Sequence, residues 1–404
     1  MSDLQLLFLV LLVLYAWECA CWLNSGSVAF RSWMGKRWRV VHPDGLLGNQ
    51  QGGFIFAHPL PPLGTLLTGS QFPLSVSTKA VLAHVTTRIN PAGRPRQSGT
   101  CFTWNAIQNI EVRGKKVLIN GETTLKAATH GLASRIAQAL RQTKEVKEAE
   151  REKLLRKELS AGFDASRIRH KWDEFKIHTS NLRFGANLLF IFLFGLSPLV
   201  IWHFGLSRSW PLLLAFLLVL TCSVALLFRQ AHKRFFPEAE EERFTHFIII
   251  LLSPVTAIRA NDVLSRALLE MYHPLAVAKI ICSTERFEEL ARVYWRELMF
   301  PAMPLYTKEE GLAIETECYG RALLKETVEG FLHQSGVNPV NLIPPPKPIE
   351  PTCVSYCPRC LAQFTTEKGS CADCGGIELR SLEPSQHDSP KPMADFARQI
   401  RRGH

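Results

Sequence analysis

Apolar residues fall into three long runs, with shorter alternating or helical patterns between them. The first run, Leu4 to Leu23, reads LQLLFLVLLVLYAWECACWL. A helix of that length, at about 1.5 Å per residue, covers the roughly 30 Å hydrocarbon core of a bilayer. Tyr15, Trp17 and Trp22 gather at its end, where aromatic side chains favour the membrane interface, and Glu18 shares that wet margin. A cleaved signal peptide is the rival reading. It needs a basic start and small residues at the cleavage point, whereas this chain starts MSDLQ and the run ends in bulky residues. A retained span fits better. The second and third runs, Ala186 to Phe204 and Trp210 to Phe228, contain no Asp, Glu, Lys or Arg and are joined by GLSRS, which predicts a tight helical hairpin. Pro198 is tolerable there if neighbours satisfy the freed carbonyl. His203, at a helix end, reads as interfacial. A fourth run, Phe247 to Val255, is interrupted by Pro254 and is too short to span; it suits a core or interfacial helix.

Lys and Arg beside these runs set an expected orientation. None precedes the first run; Arg31, Lys36, Arg37 and Arg39 follow it. Arg167, Arg169, Lys171, Lys176 and Arg183 precede the second, and Arg229, Lys233 and Arg234 follow the third, while the hairpin tip carries Arg208 alone. The expectation is a multi-pass inner-membrane protein of bacterial type, N-terminus outside and C-terminus cytoplasmic, with the lipid bilayer as its first partner. The net charge of +11 over 404 residues otherwise suggests nucleic acid or an anionic surface. Much of it is accounted for by juxtamembrane residues.

Between residues 24 and 128 Gly, Pro and Asn punctuate short apolar runs, as in a β-rich domain. Ile110 and Val112, then Val117 and Ile119, alternate as half-buried strands do, with Arg113-Gly114-Lys115 and Asn120-Gly121 as turns. Leu132, Ile136 and Leu140 then repeat on one helical face. The stretch FTWNAIQNIEV and the helix after it, about residues 100–140, resemble bacterial PH-like domains that sit beside membrane helices. QTKEVKEAEREKLLRKEL, residues 142–159, pairs opposite charges four apart and predicts a solvated helix within a charged segment, 129–183. It lacks the apolar seam of a coiled coil. After the hairpin, 184–228, helical patterns fill 229–336: PEAEEERF starts one helix, Asn261-Asp262 caps another, Glu285 to Leu298 is amphipathic, and Thr307 with Glu310 makes a capping box for a helix that stops at Ser335-Gly336. Residues 337–352 are proline-rich and predict a polyproline spacer that holds the last module roughly 40 Å or more away. A basic tail, 381–404, ends the chain.

Chemistry concentrates in residues 353–380. Cys357-Pro-Arg-Cys360 and Cys371-Ala-Asp-Cys374-Gly375 are separated by LAQFTTEKGS, whose β-leaning QFTT and Lys-Gly turn suit a hairpin. Pairs of thiolates two residues apart converge on one tetrahedral metal at about 2.3 Å. The pattern resembles a zinc ribbon with rubredoxin-type knuckles. The resemblance implies structural Zn2+ held by Cys357, Cys360, Cys371 and Cys374, with Gly375 at positive φ. Cys353 is a fifth thiol, not read as a ligand. Disulfides need an oxidising compartment, which the expected orientation disfavours. Iron in the same geometry and a redox dithiol are the remaining alternatives. Four thiolates leave no position open for water, so the metal is not catalytic. DGLLGNQQGGF lacks the Lys-Ser or Lys-Thr of a phosphate-binding loop, and His170, His178, His232, His246 and His273 are dispersed without ligand spacing. The fold class expected is an α+β integral membrane protein with three transmembrane helices, a β-rich domain, a helical domain and a small zinc ribbon. The role expected is a non-enzymatic adaptor that presents the ribbon to a cytoplasmic protein partner. The alternatives are nucleic-acid binding by the ribbon and tail, and an enzyme with its site where the hairpin meets the helical domain.

Overall fold

A computed structural model of the chain describes residues 2–24, 39–41, 53–57, 65–69, 74–89, 95–127, 130–269, 271–281, 284–300, 311–374 and 376–382. The capping box at Thr307 and Glu310, most of the glycine-rich stretch around residue 50, Gly375 and the tail beyond residue 382 lie outside the described residues. After helix α1 (Asp3–Asn24) come three antiparallel three-stranded sheets. They are β1 (Arg39–Val41), β2 (Gly53–Ala57) and β3 (Thr65–Gly69); β4 (Leu74–Val76), β5 (Ala80–Ile89) and β6 (Pro95–Thr103); and β7 (Ile110–Arg113), β8 (Lys116–Ile119) and β9 (Glu122–Lys126).

The last two sheets close with helix α2 (His130–Glu145) around a core that includes Val81, Trp104, Ile110, Val117, Ile119, Ala133, Ala137 and Leu140. The expected Ile110–Val112 and Val117–Ile119 pairing is the β7–β8 register, Ile110 opposite Ile119. Asn120 shows why a turn residue was needed: at φ +53 its side chain accepts from the N–H groups of Gln108 (2.7 Å) and Asn109 and donates to the Ala106 carbonyl. The helical face that packs inward is centred on Ala133 and Ala137. Leu132 and Ile136 flank it and are half-buried.

The charged stretch is two helices, α2 and α3 (Glu148–Ala161), where one was expected. Arg151 makes the break: its Nε donates to the carbonyls of Thr143 and Val146, its Nη1 to Thr78, and its guanidinium lies 5.4 Å from the Trp104 ring. It thus ties off the end of α2 and fastens α3 to the sheet. α4 (Ala165–His178) starts at Asp164, whose carboxylate accepts from the Arg167 N–H, and buries Ile168, Trp172 and Phe175.

Among the described residues two helices are long and apolar enough to cross a membrane. The first comprises α5 (Ser180–Ile191), a π-turn at Phe192–Leu196 and α6 (Ser197–Phe204). The wide turn answers Pro198, which has no N–H to give; Ser197 donates five residues back, to Phe192, and the ladder absorbs the gap. The second, α7 (Leu206–Phe235), follows Gly205 directly, so the expected five-residue joint is a single glycine at φ +73. Gly185 sets the spacing of the hairpin, because a Cβ there would meet Val224 at 3.3 Å.

Then follow α8 (Glu240–Leu252), α9 (Pro254–Ile258), α10 (Ala260–Leu269), α11 (Pro274–Ile281), α12 (Thr284–Met299) and α13 (Gly311–Gln334). The hairpin and these helices share one core, with Leu182, Leu189, Leu217 and Val224 continuous with Ile258, Leu264, Leu290 and Leu332. α13 reaches further, onto β4 and β5. There Gly320 brings its backbone against Val76, Ser77 meets Thr316 at 3.3 Å and Lys79 pairs with Glu315. Inside α13 a half-buried Arg321 holds the buried Glu317 carboxylate through two nitrogens at 2.6 and 2.9 Å. The helix stops as expected, with Gly336 at φ +79 and the Val337 N–H donating back to Leu332.

The spacer reading is corrected. Residues 339–342 form a 3-10 turn with Leu342 buried in the shared core, and Lys279 donates to the Ser335 carbonyl. Further on, Gln363 of the cysteine module clamps the stretch, accepting from Ile349 N–H (2.8 Å) and donating to the Lys347 carbonyl (2.7 Å). The prolines therefore run between two fixed attachments.

His273 gives the core a pH signature. Its Nδ1 accepts from the Leu275 N–H, which leaves Nε2–H to donate to the Tyr294 hydroxyl at 2.7 Å, and Phe163 stacks on the ring at 4.1 Å. Burial depresses its pKa from 6.5 to about 3 and pushes Tyr294 upward. The unfolded chain takes up this proton first, so the stabilisation is complete above about pH 6.5 and is lost as pH falls toward 3. The slope is ~1.4 kcal/mol per pH unit. Denaturation of the purified protein between pH 7 and 4 should include that slope, and His273→Gln should reduce the measured slope by about that amount even if the variant is less stable at pH 7.

Candidate metal centre

The cysteine module is built from strands too short to hold themselves. β10 (Ser355–Tyr356) pairs antiparallel with β11 (Gln363–Phe364) and with β14 (Arg380–Ser381), while β12 (Ser370–Cys371) pairs with β13 (Ile377–Glu378). Its buried residues are Ser355, Tyr356, Cys357, Pro358, Cys371 and Leu382. So few apolar side chains cannot offset the ordering of about thirty residues, and a metal would supply most of the folding energy.

Each Cys-x-x-Cys pair ends a strand and turns. The Leu361 N–H donates to the Cys357 carbonyl, and the Gly376 N–H to the Cys371 carbonyl, both at 2.9 Å. Gly376 adopts φ +90. Leu361 adopts φ +63, a conformation that costs a non-glycine residue about 1–2 kcal/mol. The first turn aims backbone N–H groups at sulfur: those of Arg359 and Cys360 at Cys357, and that of Ala362 at Cys360. Such donors favour the thiolate that binds metal.

The four Sγ atoms lie within 4.8 Å of one another, and those of Cys360 and Cys371 are 3.8 Å apart. A tetrahedron of sulfurs about 2.3 Å from zinc has edges of ~3.8 Å, so the cluster is of the right size to hold one ion. The thiols also repel one another's ionisation. Burial pushes Cys357 up to about 11, and burial with the Cys360 and Cys357 sulfurs pushes Cys374 up. Burial acts the same way on Cys360, but the Ala362 N–H and the neighbouring thiols outweigh it and bring that thiol down. A divalent cation removes the conflict by compensating the crowded negative charge. All four predicted ligands are thus brought together, and among the described residues no other group of three or more metal-binding side chains converges. Cys353 stands outside the cluster, half-exposed.

The module is also docked. The Arg380 guanidinium lies 4.7 Å over the Phe300 ring at the end of α12, and the Gln363 amide ties it to residues 347–349. Neither contact was legible from spacing.

The histidines called dispersed are not all so. At the base of the hairpin the rings of His232 (α7) and His246 (α8) are 6.2 Å apart, beside Arg243. Nδ1 of each ring and Nη1 of Arg243 are enclosed and find no protein hydrogen-bond partner. Nearby, Glu242 accepts from the His130 N–H and lies 3.8 Å from Lys115. Two rings without a third ligand make no metal site, and His232, 3% exposed, is closed to a substrate. His170 and His178 join neither group.

No family model, curated protein or solved structure matches the chain.

Thiolate ligation makes metal binding pH-dependent and couples it to folding. Purified protein should carry one zinc per chain by elemental analysis and should lose it as pH falls. Chelation, or Cys360→Ser, should expose residues 353–382 to protease while the core helices stay protected. Cys353→Ser should leave the metal content unchanged.

Proposed function

We propose that this is a membrane-anchored adaptor, in which a structural zinc ribbon at the C-terminal end engages a cytoplasmic protein partner. The observation that carries the reading is the convergence of all four thiols of one small module on a single centre. Four thiolates fill a tetrahedral coordination sphere, so such a centre shapes a surface and has no position for a substrate.

Membrane anchoring is supported by how the two long apolar helices lie. They leave large side chains uncovered, with Trp202 89%, Leu199 67% and Val219 62% exposed. The core helix of a water-soluble protein buries such residues, whereas lipid accepts them. With α1 as a third span, the Lys and Arg distribution favours an outside N-terminus and a cytoplasmic ribbon, and that reducing compartment keeps the four thiols available to zinc. The two sheets closed by α2 fit a PH-like unit set against the membrane helices.

The test is co-purification from solubilised membranes, comparing the full chain with the Cys357→Ser/Cys371→Ser variant. Equal membrane insertion and loss of a protein present in stoichiometric amount with the wild type is the expected result. Retention of that protein by the variant would sink the adaptor reading. Loss of binding with a steep dependence on salt and sensitivity to nuclease would instead point to nucleic acid, through counterion release.

A further inference from the structure

The helix that follows the hairpin turns back along it. α8 reverses direction after residues 236–239 and lies against α7 so that the His246 ring is 6.0 Å from Phe228 and 6.2 Å from His232, while the Arg229 guanidinium sits 5.8 Å from the Phe247 ring. On the hairpin itself, Gly185 faces Val224 and Leu227. Arg183 and Arg229 therefore mark nearly the same level, and it is the level at which charge ends on both hairpin helices. His246 stands at that level. α8 continues six residues past it, to Leu252, in the direction of the uncharged part of the hairpin. At 1.5 Å per residue that is about 9 Å.

Residues 244–258, FTHFIIILLSPVTAI, carry no Asp, Glu, Lys or Arg. The segment splits into two faces. Ile250, Val255, Ala257 and Ile258 are buried, and α9 packs against α1, α5 and α7. Phe244 (66%), Ile249 and Leu252 (72%) are exposed on the other side. The turn between the helices satisfies its polar groups from within. The Ser253 N–H donates to the Ile249 carbonyl at 2.9 Å, and the Ser253 hydroxyl oxygen accepts from the Thr256 N–H and hydroxyl. The Ala257 N–H in turn reaches the Ser253 carbonyl, and Pro254 has no N–H to satisfy. Irregular backbone at hydrocarbon depth is tolerated when it is paired and covered in this way.

We propose that residues 240–258 form a re-entrant element that enters the bilayer from the charged end of the hairpin, turns at Ser253-Pro254, and lays Ile249 and Leu252 against lipid acyl chains, with Phe244 at the interface. The occupant follows from continuity. At the same level Phe184 of α5 and Leu226 of α7 are exposed, and the face of α8 extends that apolar surface. Arg229, Lys233 and Arg234, all exposed, stand where anionic headgroups would meet it. The inference rests on the membrane reading of the hairpin, and the experiment separates the two.

The full chain, reconstituted in phosphatidylcholine–phosphatidylglycerol vesicles, is photolabelled with a phospholipid that carries a diazirine in its acyl chain, and the labelled residues are mapped by mass spectrometry. The expected result is label on Leu212, Val219 and Leu226 and also on Ile249 and Leu252, with Ile250 and Ala257 unlabelled. Label on the hairpin without label on Ile249 and Leu252 overturns the re-entrant element and leaves the hairpin as a span. Absence of label from both overturns the membrane reading and this inference with it.

Discussion

One continuous apolar core sets where the rest of this chain lies. It begins at Leu182 and Leu213 in the hairpin, passes through Phe175 and Phe228 at its base, and ends at Leu290, Leu332 and Leu342. Burial of that surface is the main favourable term available to α4 and to α8 through α12. The two long apolar helices are therefore part of the folded body, and α13 carries the connection onward to the sheet at Val76 and Gly320. Loss of packing at the hairpin base would loosen helices more than a hundred residues away in sequence.

Polar groups placed inside this core gain little stability from their partners and instead fix its arrangement. Glu317 and Arg321 lie one turn apart and nearly sealed, and the attraction between them competes with the cost of taking both out of water. His273 must stay neutral, held between a backbone donor and Tyr294. The Glu317–Arg321 pair travels with α13, whereas His273 is satisfied in one packing only, because Tyr294 lies on α12. A slip of α11 against α12 would strand a buried polar group, at a cost of about 1–3 kcal/mol. That penalty selects one register among the many that a leucine-rich interface would tolerate.

What the sequence made legible was whatever depends on local spacing. The hairpin runs, the turns at Gly114 and Asn120, the stop at Gly336 and the four ligand-spaced cysteines all read directly from neighbours a few residues apart. Long-range choices did not. Arg151 looks like one more charge in a charged helix, yet its partners include Thr78, 73 residues away. Gln363 looks like a strand residue, and it is the clamp that turns the proline stretch from a spacer into a brace. His232 and His246 have no ligand spacing, but the reversal of the chain at residue 236 brings them together. The run at Phe247 was too short to span, and length alone could not show that it folds back along α7.

The brace changes what an adaptor made this way would present. On a free polyproline spacer the ribbon would sample a wide volume, and a partner would have to meet the zinc module alone. Here Gln363 bonds the module to its own preceding segment, residues 347–349, and Arg380 lies over Phe300 at the end of α12, which brings the module beside the helices. A partner would then read a composite surface, part ribbon and part helical core. Preorganisation of this kind lowers the ordering cost of association, since no tether has to be immobilised when the complex forms. A metal bound at the four cysteines would be a structural keystone twice over: without it a module with almost no apolar core would unfold, and unfolding would release the Gln363 and Arg380 contacts.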